Sequence, residues 1–166
     1  MVDFEELSRK CEFPVGVLAI KNKGSIVKLG GYYFNLYALL LERYGFRCQE
    51  TRYVQTFKDD GIESREWDWF GYRAIDNFAR LRIDVRHNFW TVKADKVGGF
   101  ISVKYTIELD YKKLWRNNST LKWMLPIYLR RYYWGRALLG YYVRFNEELG
   151  GVKELIKKEL NVLVYD

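Results

Sequence analysis

Histidine and cysteine are nearly absent from this chain, and their scarcity excludes several kinds of site. His87 is the only histidine, and Cys11 and Cys48 are the only cysteines. Without a CxxC pair or a Cys/His cluster, the sequence predicts neither a structural zinc site nor a disulfide framework. Gly30-Gly31 and Gly98-Gly99 lack the spacing and the lysine of a phosphate-binding loop. We therefore expect no metal and no cofactor.

Acidic residues are missing from residues 111–146, and this local absence is the most informative feature of the sequence. The segment, called the basic segment below, contains eight basic and ten aromatic side chains but no Asp or Glu. The net charge of the chain is +7, whereas the remaining residues comprise 20 basic and 21 acidic ones. The excess charge is therefore local, and a local positive field attracts a polyanion or an anionic surface. The basic residues are Lys112, Lys113, Arg116, Lys122, Arg130, Arg131, Arg136 and Arg144.

A basic leader followed by an apolar stretch is also missing. The chain opens with MVDFEELSRK, which is acidic and polar, so the sequence predicts no secretory signal and a cytoplasmic location. Its 166 residues and continuous apolar pattern predict a single domain over residues 1–166 that buries a core without disulfides or metals. Glutamine is scarce beside abundant Lys, Arg and Glu, a composition often found in thermophiles.

The fold class predicted from periodicity is α+β, with a four-stranded antiparallel β-meander packed against an N-terminal amphipathic helix and a long C-terminal helix. Apolar residues recur at helical spacing from Tyr33 to Tyr44 and stop at Gly45, a residue type that often follows a helix end. Before this helix, residues 15–20 and 25–29 predict the two arms of a short hairpin.

From Arg47 onwards the apolar period changes to two, which indicates strands. Four runs are separated by turn residues that suit antiparallel hairpins. The last two runs have one apolar and one charged face, so we expect a half-buried sheet with cross-strand ion pairs on its exposed face. The runs cover residues 47–58, 63–75, 79–92 and 100–111, with turns at Asp59-Asp60-Gly61 and Asp76-Asn77 and a loop at Gly98-Gly99. The charged face is expected to contain Arg80, Arg82, Asp84, Arg86, Lys104, Glu108 and Asp110.

The basic segment also supplies the C-terminal helix. At about 100° per residue, one stripe of this helix is apolar and should pack on the sheet. Pro126 suits its first turn, and Gly150-Gly151 is expected to end it. Arg131 falls within the stripe, so it must extend to solvent, pair with a carboxylate of the sheet or face a ligand. The stripe comprises Ile127, Trp134, Leu138, Tyr141, Tyr142, Phe145 and Leu149, and the opposite side comprises Arg130, Arg136, Arg144, Glu147 and Glu148.

Nucleic acid is the partner that this composition favours. Phosphates require Lys and Arg without competing carboxylates, and unpaired bases stack on aromatic side chains. The basic segment contains both, although it has no RNP, KH or helix-turn-helix signature. The alternative is that its tryptophans belong to the core and its charges form a solvated face. The candidate phosphate contacts are Lys112, Lys113, Arg116, Lys122, Arg130, Arg136 and Arg144, and the candidate stacking residues are Trp115 and Trp123.

An anionic membrane surface is a second candidate partner. Each arginine of the helix would cost about 2.5–3.5 kcal/mol at the centre of a bilayer, so the helix is not expected to span one. Trp, Tyr and Arg together are nevertheless typical of the membrane interface. Since the apolar stripe is the only obvious cover for the sheet, it cannot also enter lipid. The sequence therefore favours nucleic acid over a membrane.

Two other binding functions stay open. A carrier of a hydrophobic small molecule would enclose a pocket between sheet and helix, and a protein-interaction adaptor would use the basic helix face. Catalysis has the least support, because Glu66 and Asp68 face arginines of the next strand and His87 has no identifiable nucleophile or metal ligand beside it. We therefore predict a non-enzymatic binding protein without catalytic residues. The pocket of a carrier would be lined by Trp67, Trp69, Tyr53, Phe57, Tyr105 and Tyr111.

Overall fold

A computed structural model describes residues 1–25, 29–58, 61–93 and 96–160, and it confirms a mixed α+β architecture. Two helices lie in the N-terminal part of the chain, α1 (Phe4–Lys10) and α2 (Leu29–Glu42). The C-terminal helix runs without a break over residues 119–160 and consists of α3 (Ser119–Tyr128), a π-helical segment (Leu129–Leu138) and α4 (Leu139–Leu160). The strands are β1 (Glu12–Ser25), β2 (Arg47–Phe57), β3 (Glu63–Ala74), β4 (Ala79–Lys93) and β5 (Lys96–Leu109), and they form one antiparallel sheet in the order β1-β5-β4-β3-β2.

The sheet has one strand more than the four predicted. Residues 12–25 form a single long strand that pairs with β5, so the predicted hairpin between residues 15–20 and 25–29 is wrong. The second predicted arm overlaps the start of α2, and residues 26–28 lie outside the described part of the chain. Pro14 and Gly16 obscured this strand in the sequence, because they interrupt its alternation, and the register of β1 shifts between them.

The four strands of the meander and the N-terminal amphipathic helix are confirmed. Helix α2 buries Leu36 and Leu40, and Gly45 follows it with a left-handed φ of 67°. The predicted loop at Gly98-Gly99 is wrong, because both glycines lie inside β5 and pair with β4. Asp59 and Asp60 of the first predicted turn lie outside the described residues.

Gly99 is required by the ring that lies above it. It pairs with Phe89 of β4, and a Cβ atom at this position would overlap the Phe89 ring. We expect Gly99→Ala to lower the free energy of unfolding by about 1–3 kcal/mol, because the overpacked strands must separate. Urea denaturation would measure the change. The matched control is Gly150→Ala, at an exposed helical position with open space around it, which should raise stability by about 0.5–1 kcal/mol. Shifts of the same sign in both variants would contradict the argument.

The two faces of the sheet differ as predicted. Leu81, Ile83 and Val85 are buried on the inner face, together with Ile101, Val103, Tyr105, Ile107 and Leu109 of β5. On the outer face the side chain of Arg80 lies 2.6 Å from that of Glu108, and Arg82 contacts both Asp84 and Glu108 at 2.9 and 3.0 Å. This face is therefore an ion-pair ladder in which acidic and basic residues neutralise one another.

Asp110 is the exception to the predicted charged face. Strand β5 ends at Leu109, and Asp110 adopts a φ of 46° that turns the chain away from the sheet. Its side chain is buried and accepts hydrogen bonds from the backbone N–H groups of Trp115 and Arg116, at 3.1 and 2.9 Å. Asp110 therefore organises the connection that leads into the C-terminal helix.

Candidate functional site

The C-terminal helix begins at a side-chain cap and is longer than predicted. The Asn118 side-chain oxygen accepts hydrogen bonds from the backbone N–H groups of Thr120 and Leu121, at 3.0 and 3.1 Å. Pro126 lies inside α3 and not in its first turn, and Gly150-Gly151 lies inside α4, so the predicted helix end is wrong. An interior glycine costs only about 1 kcal/mol. The adjacent Leu149 and Val152 are buried, and their packing outweighs that cost.

Asp76 fixes the middle of the helix to the turn between β3 and β4. Its Oδ1 atom accepts hydrogen bonds from the backbone N–H groups of Phe78 and Ala79 at 2.6 and 2.7 Å. Its Oδ2 atom accepts hydrogen bonds from the hydroxyls of Tyr133 and Tyr141 at 2.9 and 3.0 Å. Burial opposes ionisation of this carboxyl, but the four donors outweigh burial and hold the pKa of Asp76 below its ordinary value.

Glu148 is the second anchor of the helix. It was predicted on the exposed side, but its carboxylate faces the sheet, where it lies 2.9 Å from the Arg73 guanidinium and accepts a hydrogen bond from the Tyr105 hydroxyl at 3.1 Å. The Arg73 guanidinium also lies over the rings of Phe46 and Phe145. The two anchors seat the helix firmly, so the side chains on its other side project from a fixed support.

The π-helical segment explains why the predicted apolar stripe is partly wrong. The buried residues of α3 and the π-helical segment are Leu125, Leu129, Tyr133 and Leu138, which are separated by four, four and five positions. A π-helix has a wider turn than an α-helix, so a fixed step of 100° per residue misplaces side chains within it. Ile127 was predicted to be buried but is 48% exposed, and Arg131 was placed in the stripe but is exposed.

Six of the seven candidate phosphate contacts are exposed, and Arg131 joins them. None of these seven side chains forms an ion pair with a carboxylate in the described part of the chain. Their charges are therefore not neutralised locally, in contrast to those on the outer face of the sheet. These residues, called the unpaired cations below, are Lys112, Lys113, Lys122, Arg130, Arg131, Arg136 and Arg144.

Arg116 and Trp115 occupy a different environment from the other candidate site residues. The Arg116 guanidinium donates a hydrogen bond to the backbone oxygen of Asp110 at 3.1 Å and lies 3.4 Å from its carboxylate. The Trp115 ring is half-buried and stacks on Tyr128, with 4.7 Å between the ring centroids. Both side chains are engaged within the fold, whereas the Trp123 side chain is 63% exposed.

An apolar row runs along the exposed side of the C-terminal helix between the unpaired cations. Trp123, Ile127, Leu139 and Val143 are 63%, 48%, 46% and 50% exposed, and we call these four residues the outer ridge. They recur at steps of four, with Arg131 and Gly135 filling the two steps between Ile127 and Leu139. Steps of four residues approximate one turn of either helix type, so the four side chains follow one side of the helix. The sequence interpretation missed this row, although its period of four is visible in the sequence.

A groove of about 550 Å³ adjoins the outer ridge where α3 meets the N-terminal residues. Ile127 and Arg130 form one wall, and Val2 and Phe4 lie opposite. Asp3 and Glu5 are the carboxylates that line it. The groove thus extends the apolar character of the ridge toward α1, and it places two carboxylates on the same groove as Arg130.

The six residues proposed to line a carrier pocket do not converge. Trp67, Trp69 and Tyr105 are buried in the core, whereas Tyr53 and Phe57 are 51% and 72% exposed. Tyr111 lies outside the sheet, near the Arg80 guanidinium. The arrangement of these residues therefore gives no support to a common cavity.

The single histidine and the two cysteines are held in their uncharged forms. Burial lowers the pKa of His87 to about 3, and burial raises the pKa of the Cys48 thiol to about 11. Burial also raises the pKa of Cys11. The histidine is neutral and the thiols are protonated at neutral pH, so none is activated as a nucleophile. Within the described residues, no cluster of His, Cys, Asp and Glu is arranged to hold a metal ion.

Comparison with known proteins identifies no family. No family model matches this chain, and no curated protein matches it. A solved structure with some similarity is the di-domain aromatase/cyclase StfQ from the steffimycin biosynthetic pathway, with 13% sequence identity and a TM-score of 0.23. The alignment covers 89% of this chain and 54% of that one, so this chain spans about half the length of StfQ. At this TM-score the likeness supports no inference about fold or activity.

Proposed function

We propose that this protein acts by binding, without catalysis, and that its basic segment engages a polyanion such as nucleic acid. The observation that carries the proposal is the set of seven unpaired cations, which stand on or next to one helix with no carboxylate bound to any of them in the described part of the chain. Unneutralised charges of one sign add their fields and attract a partner of the opposite sign.

The arginines on the outer face of the sheet form ion pairs with carboxylates, in contrast to the cations of the basic segment. Arg80 and Arg82 on that face pair with Glu108, and Arg82 also pairs with Asp84, so their charges are locally balanced. Within the described residues, none of the unpaired cations forms such an ion pair, although Asp3 and Glu5 line the same groove as Arg130. A net charge of +7 is therefore presented to solvent mainly from the basic segment, which is the arrangement that phosphate binding requires.

The spacing of the cations suits an extended partner. From Lys122 to Arg144 the helix advances by roughly 30 Å, at about 1.5 Å per residue in its α-helical parts. One turn of duplex DNA is about 34 Å long, and single strands bind along basic grooves of comparable extent. The helix can therefore contact several phosphates of one polymer at once.

Charge reversal of three helical cations tests this proposal. We expect Arg130→Glu, Arg131→Glu and Arg136→Glu together to weaken binding to all nucleic acid sequences and to reduce the slope of log affinity against log salt by about 3, since each phosphate contact contributes about 1. Fluorescence anisotropy with single-stranded and duplex RNA and DNA at two salt concentrations would measure both quantities. Arg116 is left unchanged, because its pairing with Asp110 stabilises the connection before the helix.

The control separates a local site from the net charge of the protein. Arg9, Arg43 and Arg47 are exposed and lie outside the basic segment, so their replacement by Glu produces the same change in net charge. The control variant should retain most of the affinity and nearly the whole salt slope. Equal losses in the two variants would show that binding does not depend on the basic segment, and an absence of nucleic acid binding by the wild-type protein at low salt would refute nucleic acid as the polyanion.

A further inference from the structure

We infer that the polyanion bound by the basic segment is the surface of an anionic membrane, and that the outer ridge enters the interfacial region of the bilayer. This inference rests on the proposed function and names the partner of the same site. It depends on the juxtaposition of four exposed apolar side chains, Trp123, Ile127, Leu139 and Val143, with the unpaired cations of the same helix.

Nucleic acid and an anionic membrane both present phosphate groups, but only a membrane also offers an apolar region for the outer ridge. A nucleic acid backbone would contact the cations but would leave Ile127, Leu139 and Val143 without an apolar partner. A membrane interface accepts both kinds of residue at once, since Lys and Arg contact anionic headgroups while aromatic and aliphatic side chains lie at the boundary of the acyl chains. Trp123 at the start of the ridge is of the type enriched at that depth.

A helix with one apolar stripe could not both pack on the sheet and enter lipid. The structure has two rows of apolar residues, because Leu125, Leu129, Tyr133 and Leu138 are buried in the core while the outer ridge is exposed. The core therefore does not compete with the bilayer for the same residues. Helix and sheet can remain packed while the ridge enters lipid.

A second copy of this chain is a poorer occupant of the ridge. Packing two such helices together would bring Arg130, Arg131 and Arg136 of one copy near the equivalent cations of the other, at a cost in repulsion. An anionic surface turns the same charges into favourable contacts. The positive charges beside the outer ridge therefore favour binding to an anionic membrane over dimerisation.

The protein would lie on the membrane and not cross it. No helix in the described part of the chain is long and apolar enough to span a bilayer. Beyond Val143 the exposed helix residues include Glu147 and Glu154, which anionic headgroups would repel. The contact is therefore limited to the part of the helix between Lys122 and Arg144.

Vesicle flotation with the intact protein tests the inference. Vesicles of phosphatidylcholine with about one quarter phosphatidylserine supply the anionic surface, and pure phosphatidylcholine vesicles supply the neutral one. We expect binding to the anionic vesicles only, weakened by added salt. Replacement of the four ridge residues by serine should reduce the affinity for these vesicles by about ten- to a hundredfold while the affinity for nucleic acid or heparin stays within about twofold of wild type, because the cations are intact.

The control variant carries four serine substitutions at other exposed apolar positions. Phe34, Leu41, Tyr53 and Phe57 are 72%, 45%, 51% and 72% exposed and lie on α2 and β2, so their replacement should leave vesicle binding unchanged. Quenching of tryptophan fluorescence by brominated lipids adds a measurement on the wild-type fold. Quenching should occur with the wild type and be lost in the conservative variant Trp123→Phe.

The outcomes separate this inference from the proposed function. Nucleic acid binding without vesicle binding would overturn the inference and leave the proposed function in place, whereas no binding to either would refute both. Equal vesicle binding by the ridge variant and the wild type would also overturn the inference. So would a stable dimer, detected by light scattering without lipid, that the ridge variant dissociates.

Discussion

Replacement of Glu148 by alanine is expected to lower the free energy of unfolding by about 3 kcal/mol, because it leaves a partly buried charge without its partner. The Arg73 guanidinium lies 2.9 Å from this carboxylate and only 20% of the Arg73 side chain is exposed, so water cannot fully replace the lost contact. The Tyr105 hydroxyl loses its acceptor in the same variant. Burial raises the pKa of Tyr105, so this hydroxyl stays protonated and needs an acceptor.

Two companion variants make this prediction specific. Glu147→Ala alters the adjacent glutamate, which is exposed, and should change stability by less than about 0.5 kcal/mol. The double variant Arg73→Leu with Glu148→Leu removes both charges, and it should be more stable than Glu148→Ala because no uncompensated charge remains. Urea denaturation of the four proteins would measure the differences. Similar stability of the two alanine variants would contradict the assignment of Glu148 as an anchor.

Glu148 and Asp76, which stabilise the fold, also hold the helix that carries the candidate binding surface. Glu148 and Asp76 hold α4 and the π-helical segment against the sheet, so the unpaired cations and the outer ridge point away from it on a rigid support. A surface that binds through several weak contacts benefits from such a support, since fewer conformations are lost on binding. Loosening the helix through Glu148 should therefore weaken polyanion binding even though no cation is altered.

The sequence predicted the strands well because their signal is strictly local. Alternation of apolar and charged residues along β4 and β5 reports directly which side chains face the core, and Leu81, Ile83 and Val85 lie there as expected. Residues 15–20 of β1 were predicted as one arm of a short hairpin, but the full length of the strand and its pairing with β5 were not predicted, because β5 is distant in the chain and because Pro14 and Gly16 break the pattern. Periodicity within a segment does not show which distant segment it pairs with.

The exposed cations of the candidate site were predicted from the sequence, whereas the arrangement of the helix that carries them was not. Exposure of the cations follows from composition, since Lys and Arg seldom lie buried without partners. The position of Arg131 depends instead on the widened turn between Leu129 and Leu138, which no residue pattern indicated. The period of four in the outer ridge is visible in the sequence, but a helix with a single apolar stripe was predicted. The engagement of Arg116 depends on Asp110, a residue that the sequence assigned to the sheet.

His87 is the one histidine, and its surroundings hold the ring in its neutral form. The backbone oxygen of Trp67 can only accept, so Nδ1 carries the proton and donates to it at 3.2 Å, while Nε2 accepts from the Tyr32 hydroxyl at 3.1 Å. Trp67 stacks on the ring, with 4.8 Å between the ring centroids. The ring is thus satisfied in its neutral form and enclosed by aromatic residues, an arrangement that makes a charged histidine costly.

This enclosure predicts that the protein loses stability in mild acid. Burial lowers the pKa of His87 to about 3 in the folded protein, whereas an unfolded chain has a histidine pKa of about 6.5. Between these values the unfolded state binds a proton that the folded state does not, so the stability supplied by neutral His87 is complete above about pH 6.5 and falls as the pH decreases toward 3. The slope approaches about 1.4 kcal/mol per pH unit, which gives a loss of roughly 2–3 kcal/mol between pH 6.5 and 4.5.

Urea denaturation between pH 4.5 and 7 would measure the contribution of His87 to the free energy of unfolding. Carboxylates such as Asp76, whose pKa is lowered below its ordinary value, lose their contribution to stability only at lower pH. The variant His87→Phe retains an aromatic ring in the cluster and cannot bind the proton, so its stability should be nearly independent of pH in this window. Tyr32→Phe removes only the hydroxyl and should keep the pH dependence of the wild type, despite a lower stability at every pH. A wild-type slope that persists in His87→Phe would mean that another group titrates in this range and that His87 is not the enclosed neutral residue described above.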